Sequence, residues 1–460
     1  MRSARPKVLH TLIGRPMIAH VLAATEGASA TSAVVVLGHG AETVRASLPA
    51  GTLTVVQEPQ LGTGHAVRVA LDALDALDGL RADIGAPTTG DAHIDAMDAH
   101  GADMALILYG DMPLLRSETL RALLDLHGAG RGRRPLTLLS ALTPDPFGYG
   151  RIVRDAVGHV AGVKEQKELA PDEEAIGEIN VGVYCADLAW LRRAVRALPA
   201  HPDGEYYLPD LVPLALAEGG AEVLRLDRVV GAEAEEAQGV NTRVQLAAAE
   251  TVLRGRVNQA HMLSGVTIVD PATTYIEPHV AIGQDTTILP NTYLRGATRI
   301  GAGCAIGPDT ELTDSVVGDG AQIVRSVVED ARVGSRCHVG PYAHLRHGAV
   351  LLEGAQIGNY AEVKNSTIGA GSVSHHVSYI GDTTMGERVN VGAGTVTANY
   401  DGARKHHTTI GDGVFVGVGT LLRAPLTLGN GSRTGAGAVV LRDVAPGVTV
   451  AGVPARPLGE

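Results

Sequence analysis

From about residue 264 onward, one aliphatic side chain recurs every six residues. The clearest runs are Ile282, Ile288, Leu294, Ile300, Ile306, Leu312; then Val333, Val339, Leu345, Leu351, Ile357, Val363; then Ile410, Val416, Leu422, Leu428, Thr434, Val440. A period of six fits neither the 3.6 of an α-helix nor the 2 of an alternating strand. It fits short strands joined by tight turns, each strand sending one side chain inward, with three strands closing a coil of about 18 residues. Glycine often follows the inward residue, as at Gly283, Gly301, Gly334 and Gly417, where it eases the corner. The interior of such a prism is narrow, so it takes Val, Ile and Leu and excludes rings. The composition agrees: 58 Gly against 2 Phe, 1 Trp and 11 Tyr.

The phase breaks at 373–385 (VSHHVSYIGDTTM) and at 397–409 (TANYDGARKHHTT). Both stretches are polar, and both read as loops thrown off a corner, the places where a solenoid carries its chemistry.

The N-terminal half has a different grammar. Aliphatic strands at 33–38, 53–57, 104–109 and 136–142 alternate with helical patterns at 61–81 and 117–127. Such alternation implies an α/β, mostly parallel, doubly wound sheet. Ligands in that architecture sit at the carboxyl ends of strands, and Gly110-Asp111 ends one of them. Residues 82–103 read as a flexible surface insertion, and His93, Asp95 and His100 within it are only a weak metal signal. Residues 241–261 are helical in pattern and read as an arm. The expected organisation is therefore 1–240, an arm at 241–262, and a repeat domain at 263–460.

The net charge of −12 argues against nucleic acid or an anionic membrane as the main partner. No apolar run is long enough to span a bilayer. The opening MRSARPKVLH is basic but has no apolar leader. Three scattered cysteines, Cys185, Cys304 and Cys337, favour a reducing cytoplasm over a disulfide framework.

Several segments then run in one family's order along nearly the whole chain. They are PKVLHTLIGRPMIAHV (6–21), QLGTGHA (60–66), LYGDMPLL (108–115), GYGRIVR (148–154), EINVGVY (178–184), GEYYLPD (204–210), GVN (239–241), LRHGAVLLEGAQIGNYAEVKNS (345–366) and NVGAGTVTANYDGARKHHTTIGDGVFVG (390–417). The chain resembles the bacterial bifunctional N-acetylglucosamine-1-phosphate uridyltransferase/glucosamine-1-phosphate N-acetyltransferases. The resemblance implies a nucleotidyltransferase-type α/β domain followed by a left-handed parallel β-helix that assembles as a homotrimer. It also implies two activities. Acetyl-CoA acetylates glucosamine-1-phosphate, and UTP with Mg²⁺ then converts the product to UDP-N-acetylglucosamine and pyrophosphate, a cell-wall precursor.

For acetyltransfer the resemblance implies a phosphate clamp of Arg346 and Lys364, one coil apart. It implies His376 as the base, selected over its neighbour His375 by the spacing from Lys364 to Tyr379. Tyr379, Asn390 and Lys405 would hold the sugar phosphate. Ala393, Asn399, Tyr400, Val418 and Ala436 would line the acetyl-CoA groove. Two positions depart from the family pattern, Val418 in place of serine and Gly452 in place of a basic residue, and imply weaker coenzyme binding.

For uridylyl transfer it implies Asp111 and Asn241 as the Mg²⁺ pair and Lys7 on phosphate. Gln57, Gly62, Thr63, Tyr109 and Gly110 would contact uracil and ribose. Gly150, Glu165, Asn180 and Asn241 would form the sugar pocket. Family members open with an apolar strand and a glycine-rich LAAGxGTRM loop ahead of PKVLH. This sequence begins where that loop ends, so the expectation is little or no uridyltransferase activity, from a sheet that lacks its first strand. Two other readings stay open at this point: a sugar-1-phosphate nucleotidyltransferase whose β-helix only trimerises, and a non-enzymatic scaffold.

Overall fold

The computed structural model describes residues 1–84, 103–130 and 134–458. Most of the 82–103 stretch, with His93, Asp95 and His100, lies outside them. The chain divides into two compact units, Met1–Val252 and Leu253–Glu460.

In the second unit the six-residue rhythm becomes three sheets of 12, 10 and 9 strands among the described residues, the three faces of a prism, parallel throughout except for the last pair, Thr449–Ala451 with Arg456–Pro457. The first face starts at Thr267–Ile268, the second at Thr274–Ile276 and the third at Ala281–Ile282. Inward aliphatics stand in register along each face. On the first they are Ile288, Ile306, Ile323, Val339 and Ile357. On the second they are Leu294, Leu312, Val328, Leu345, Val363 and Ile380. Together they form one continuous core. Burying each contributes about 1.5–3 kcal/mol, and no single coil could bury its own. This is the left-handed β-helix of hexapeptide repeats.

The two breaks in phase have different origins. Residues 373–385 are not a loop: Val373–Ser374, Ser378–Gly381 and Thr383–Met385 occupy the three faces in turn. The expectation there is corrected because coils vary in length. The successive first-face partners Ile306, Ile323, Val339 and Ile357 are unevenly spaced along the chain, since a corner can lose a residue without shifting the inward one. The second break is a true insertion. Val396 pairs with Leu421, across a coil much longer than its neighbours. Its loop folds on itself, with a Tyr400–Lys405 bridge. Asp401 accepts the backbone N–H groups of Ala403 and Arg404 and faces His406 Nε2 at 2.7 Å.

The first unit contains the four expected strands, at Val34–Leu37, Leu53–Val56, Met104–Ile107 and Leu136–Leu142. Helices Gly62–Ile84 and Ser117–Ala129 lie between them. Its main sheet is mixed, not mostly parallel. The strand Glu178–Asp187 runs antiparallel to both Met104–Ile107 and Leu136–Leu142. Among the described residues, only Ala221–Arg225 pairs in parallel there. All of Glu178–Asp187 but its last residue is buried, so its two covered faces erase the alternation that announces a strand. Val34–Leu37 and Leu53–Val56 pair in parallel as a separate two-stranded sheet.

Candidate active sites

In the first unit, Asp111 follows the end of Met104–Ile107, and Val240 N–H donates to its carbonyl at 2.9 Å, which brings Asn241 alongside. Lys7 Nζ donates to Asp111 Oδ2 at 2.5 Å and to Asn241 Oδ1 at 2.8 Å. Two hard oxygens thus converge on one cationic point.

Tyr109 and Gly110 lie one step upstream. The Tyr109 pKa is pushed up to about 12 by burial, with Glu165 and Asp111 adding to the effect and a hydrogen bond with Thr63 opposing it. A Cβ on Gly182 would lie 2.3 Å from the Tyr109 ring, so that approach needs glycine, and Gly182 has φ +81°. Asn180 N–H donates to Gly150 O at 2.8 Å, and Asn180 Nδ2 to Tyr184 OH at 2.7 Å. Glu165 flanks Gly150, 3.3 Å from where its Cβ would stand. Burial raises the Glu165 carboxyl above the usual range. Gln57, Gly62 and Thr63 form a second wall, where Thr63 Oγ1 accepts from Leu208 N–H at 3.1 Å.

In the second unit, the second face carries the cations. Arg346 follows His344–Leu345, and its N–H bonds Val363 O at 2.9 Å. Lys364 pairs in register with Gly381 one coil on, beside Tyr379. Glu362 accepts from Arg346 Nη1 at 2.7 Å. Lys405 in the inserted loop lies against Lys364, and it and Arg346 lower the Lys364 pKa, like charges disfavouring the ammonium. Three cations gathered this closely are chemically suited to an anion.

Asp382 anchors this edge. It is 8% exposed, with φ +48°. It accepts from Asn365 Nδ2 at 2.6 Å and from Asn399 Nδ2 at 2.5 Å. Burial pushes its pKa up, but these bonds, with Lys405 and Lys364, hold it below the usual range.

His376 lies at the corner between the first and second faces, exposed and edge-on to His375. It has no hydrogen-bond partner among the described residues, whereas His375 Nε2 is tied to Gln356 Oε1 at 2.9 Å. The same corner carries Ala393, Val418 and Ala436. Three bonds of 2.7 Å, from Gly394 to Val377, Gly419 to Ala393 and Gly437 to Val418, rule the corner like a ladder.

A MobA-like NTP transferase domain model matches residues 1–168. A "Bifunctional protein GlmU" of Trichlorobacter lovleyi is 45% identical over 450 residues, 97% of this chain and 91% of the relative. That of Rubrobacter xylanophilus is 45% identical over 458 residues, 99% and 91% respectively. That of Heliobacterium modesticaldum is 42% identical over 448 residues, 97% and 91%. The chain belongs to the bifunctional GlmU family.

In this GlmU-family chain the residues singled out from the sequence gather into two sets, one in each unit. Asn390 stands apart from the cations, exposed on the first face beside Val373 and Phe415, while Arg346, Lys364 and Tyr379 line the second. Gly452 sits in the last coil, where its carbonyl accepts from Val439 N–H at 3.1 Å. Sequence reasoning misses Glu362 and Asp382. For Asp382 a signal exists: the same corner position of successive coils is left-handed at Asp314, Asp330, Gly348, Asn365 and Asp382, with Asp or Asn at four of the five.

Proposed function

We propose that the chain carries out two successive transfers, acetyl from acetyl-CoA to glucosamine-1-phosphate and uridylyl from UTP to the N-acetylated product, releasing pyrophosphate and UDP-N-acetylglucosamine. The observation that carries the acetyltransfer reading is the clamp of Arg346, Lys364 and Lys405 beside Tyr379, suited to a sugar phosphate. His376, unencumbered and adjacent, takes the proton from the amine as its nitrogen attacks the thioester carbonyl carbon. Coenzyme A leaves as the thiolate and is then protonated. Asn399, buried against Asp382, and Tyr400, with Ala393, Val418 and Ala436 along the corner ladder, guide the coenzyme.

Asn390 supports a homotrimer. A face of about six residues spans about 20 Å, so Asn390 and the cations of the second face cannot grip one small sugar in a single copy. A symmetric partner supplying Asn390 completes the site.

In the first unit, Asp111 and Asn241 suit Mg²⁺, since their hard oxygens already surround one cation, the Lys7 ammonium. The metal would neutralise phosphate charge during transfer. Lys7 holds the phosphates. Gln57, Gly62, Thr63, Tyr109 and Gly110 bind uracil and ribose. Gly150, Glu165 and Asn180, with Asn241, receive the sugar. No helix among the described residues is long and apolar enough to cross a membrane. Cys185, Cys304 and Cys337 are all buried, a placement compatible with a reducing cytoplasm. Thiol release from acetyl-CoA with glucosamine-1-phosphate tests the reading. Turnover by the wild type that is lost in His376→Ala supports it, and equal turnover by both removes the assigned base.

A further inference from the structure

Gln57 follows the strand Leu53–Val56, facing the turn that opens the helix Gly62–Ile84. Its amide nitrogen has two protons, and both are engaged. Nε2 donates to Gly62 O at 2.9 Å and to His65 Nδ1 at 3.1 Å. A backbone carbonyl can only accept, so the Gly62 contact fixes which end of the Gln57 amide points inward. The Gly62 carbonyl is itself fixed. Its φ is +87°, and a Cβ there would stand 2.7 Å from Tyr206 O.

His65 closes the arrangement. It is 8% exposed. The Gln57 amide nitrogen can only donate, so His65 Nδ1 keeps its lone pair and the ring's own proton stands on Nε2. Burial, then the Arg68 guanidinium, hold its pKa below the usual imidazole value against Asp72, so the ring stays neutral. Gln57 Oε1 accepts from none of the described residues. The amide therefore offers the site an acceptor and no donor.

We propose that His65 is a positioning residue for nucleobase choice: by holding the Gln57 amide protons inward it leaves only Oε1 for the pyrimidine. An imide N–H, as at N3 of uracil, satisfies that oxygen. Cytosine has a lone pair at N3, and the two acceptors repel. The inference rests on the reading of Gln57 as a base contact and adds the residue that orients it.

The test compares UTP and CTP dissociation constants, with Mg²⁺, for the full chain. The wild type prefers UTP. His65→Leu leaves one amide proton unpaired and frees the amide to turn, so the UTP:CTP preference falls about tenfold or more. His65→Asn, whose Oδ1 accepts in place of Nδ1, keeps the preference within about threefold. A preference unchanged in His65→Leu, including equal weakening of both nucleotides, overturns the role of His65 alone. A wild type with no preference overturns the base-contact reading and this inference with it. Should His65→Leu not fold, imidazole ¹⁵N shifts of the wild type decide. An unprotonated Nδ1 is expected, and a protonated one refutes the proposal.

Discussion

The two units build their sites in opposite ways. In the first, each group is clasped by others of the same fold. Lys7 holds Asp111 and Asn241, Asn180 is bonded to the fully buried Tyr184, and Tyr109 is wedged over Gly182. In the second, the reactive groups stand on the outside of a finished prism. His376, Asn390 and Lys405 are exposed, and Val418 is 58% exposed. A mixed sheet can fold a pocket around a nucleotide. A β-helix fills its interior with aliphatics, so the groups assigned to the proposed acetyltransfer lie on its outside, open to a second surface.

The contrast breaks most visibly at His376. His376→Ala is expected to lower acetyltransfer kcat by about 10²–10⁴-fold and leave uridylyl transfer untouched, as separate assays of the two steps would show. A parallel loss of uridylyl transfer would mean the sites are not independent. Next in size, Lys364→Ala removes one cation of the clamp. The KM for glucosamine-1-phosphate should rise about tenfold or more with the KM for acetyl-CoA unchanged.

Asp382 sharpens the comparison, because it is a buried charge supporting an exposed site. Asp382→Ala leaves Asn365 and Asn399 without their acceptor and should destabilise the β-helix by about 2–4 kcal/mol, read by denaturant unfolding. Its folded pKa lies below the unfolded value. Its contribution is therefore present above the unfolded pKa, near 4, and fades as pH falls through the folded one. Asp382→Ala should lose that acid-side dependence.

The smallest effect is expected in the first unit. Glu165 has a raised folded pKa, so it favours folding least once pH exceeds that value, and stability declines as pH rises from the unfolded pKa through the folded one. Glu165→Gln should be stabilising at neutral pH by under about 1 kcal/mol, with substrate affinity reduced. A destabilised variant would contradict the burial cause.

Legibility in the sequence follows the range of the interactions. The stack through Ile288, Leu294 and Ile300 is readable because each coil repeats a local rule, and the loop carrying Asp401 and Lys405 is readable because it interrupts that rule. The stretch 373–385 misleads because coils of unequal length share one core. The strand Glu178–Asp187 is hidden, since its partners Met104–Ile107 and Leu136–Leu142 lie far upstream in sequence and both its faces are covered. Arg346, Lys364 and Asp111 are found by motif. Their supports Glu362 and Asp382 are not, because a supporting residue is defined by what it touches and by no pattern of its own.

The claim that the exposed site is completed by a second copy can be tested by mixing chains. Asn390→Ala and Lys364→Ala, each impaired alone, are unfolded together and refolded as a 1:1 mixture, and thiol release from acetyl-CoA is measured. If Asn390 and Lys364 come from different copies, about a quarter of the sites are intact in a random trimer, and activity should recover to about that fraction of the wild type. A mixture no more active than the average of the two variants would contradict a shared site.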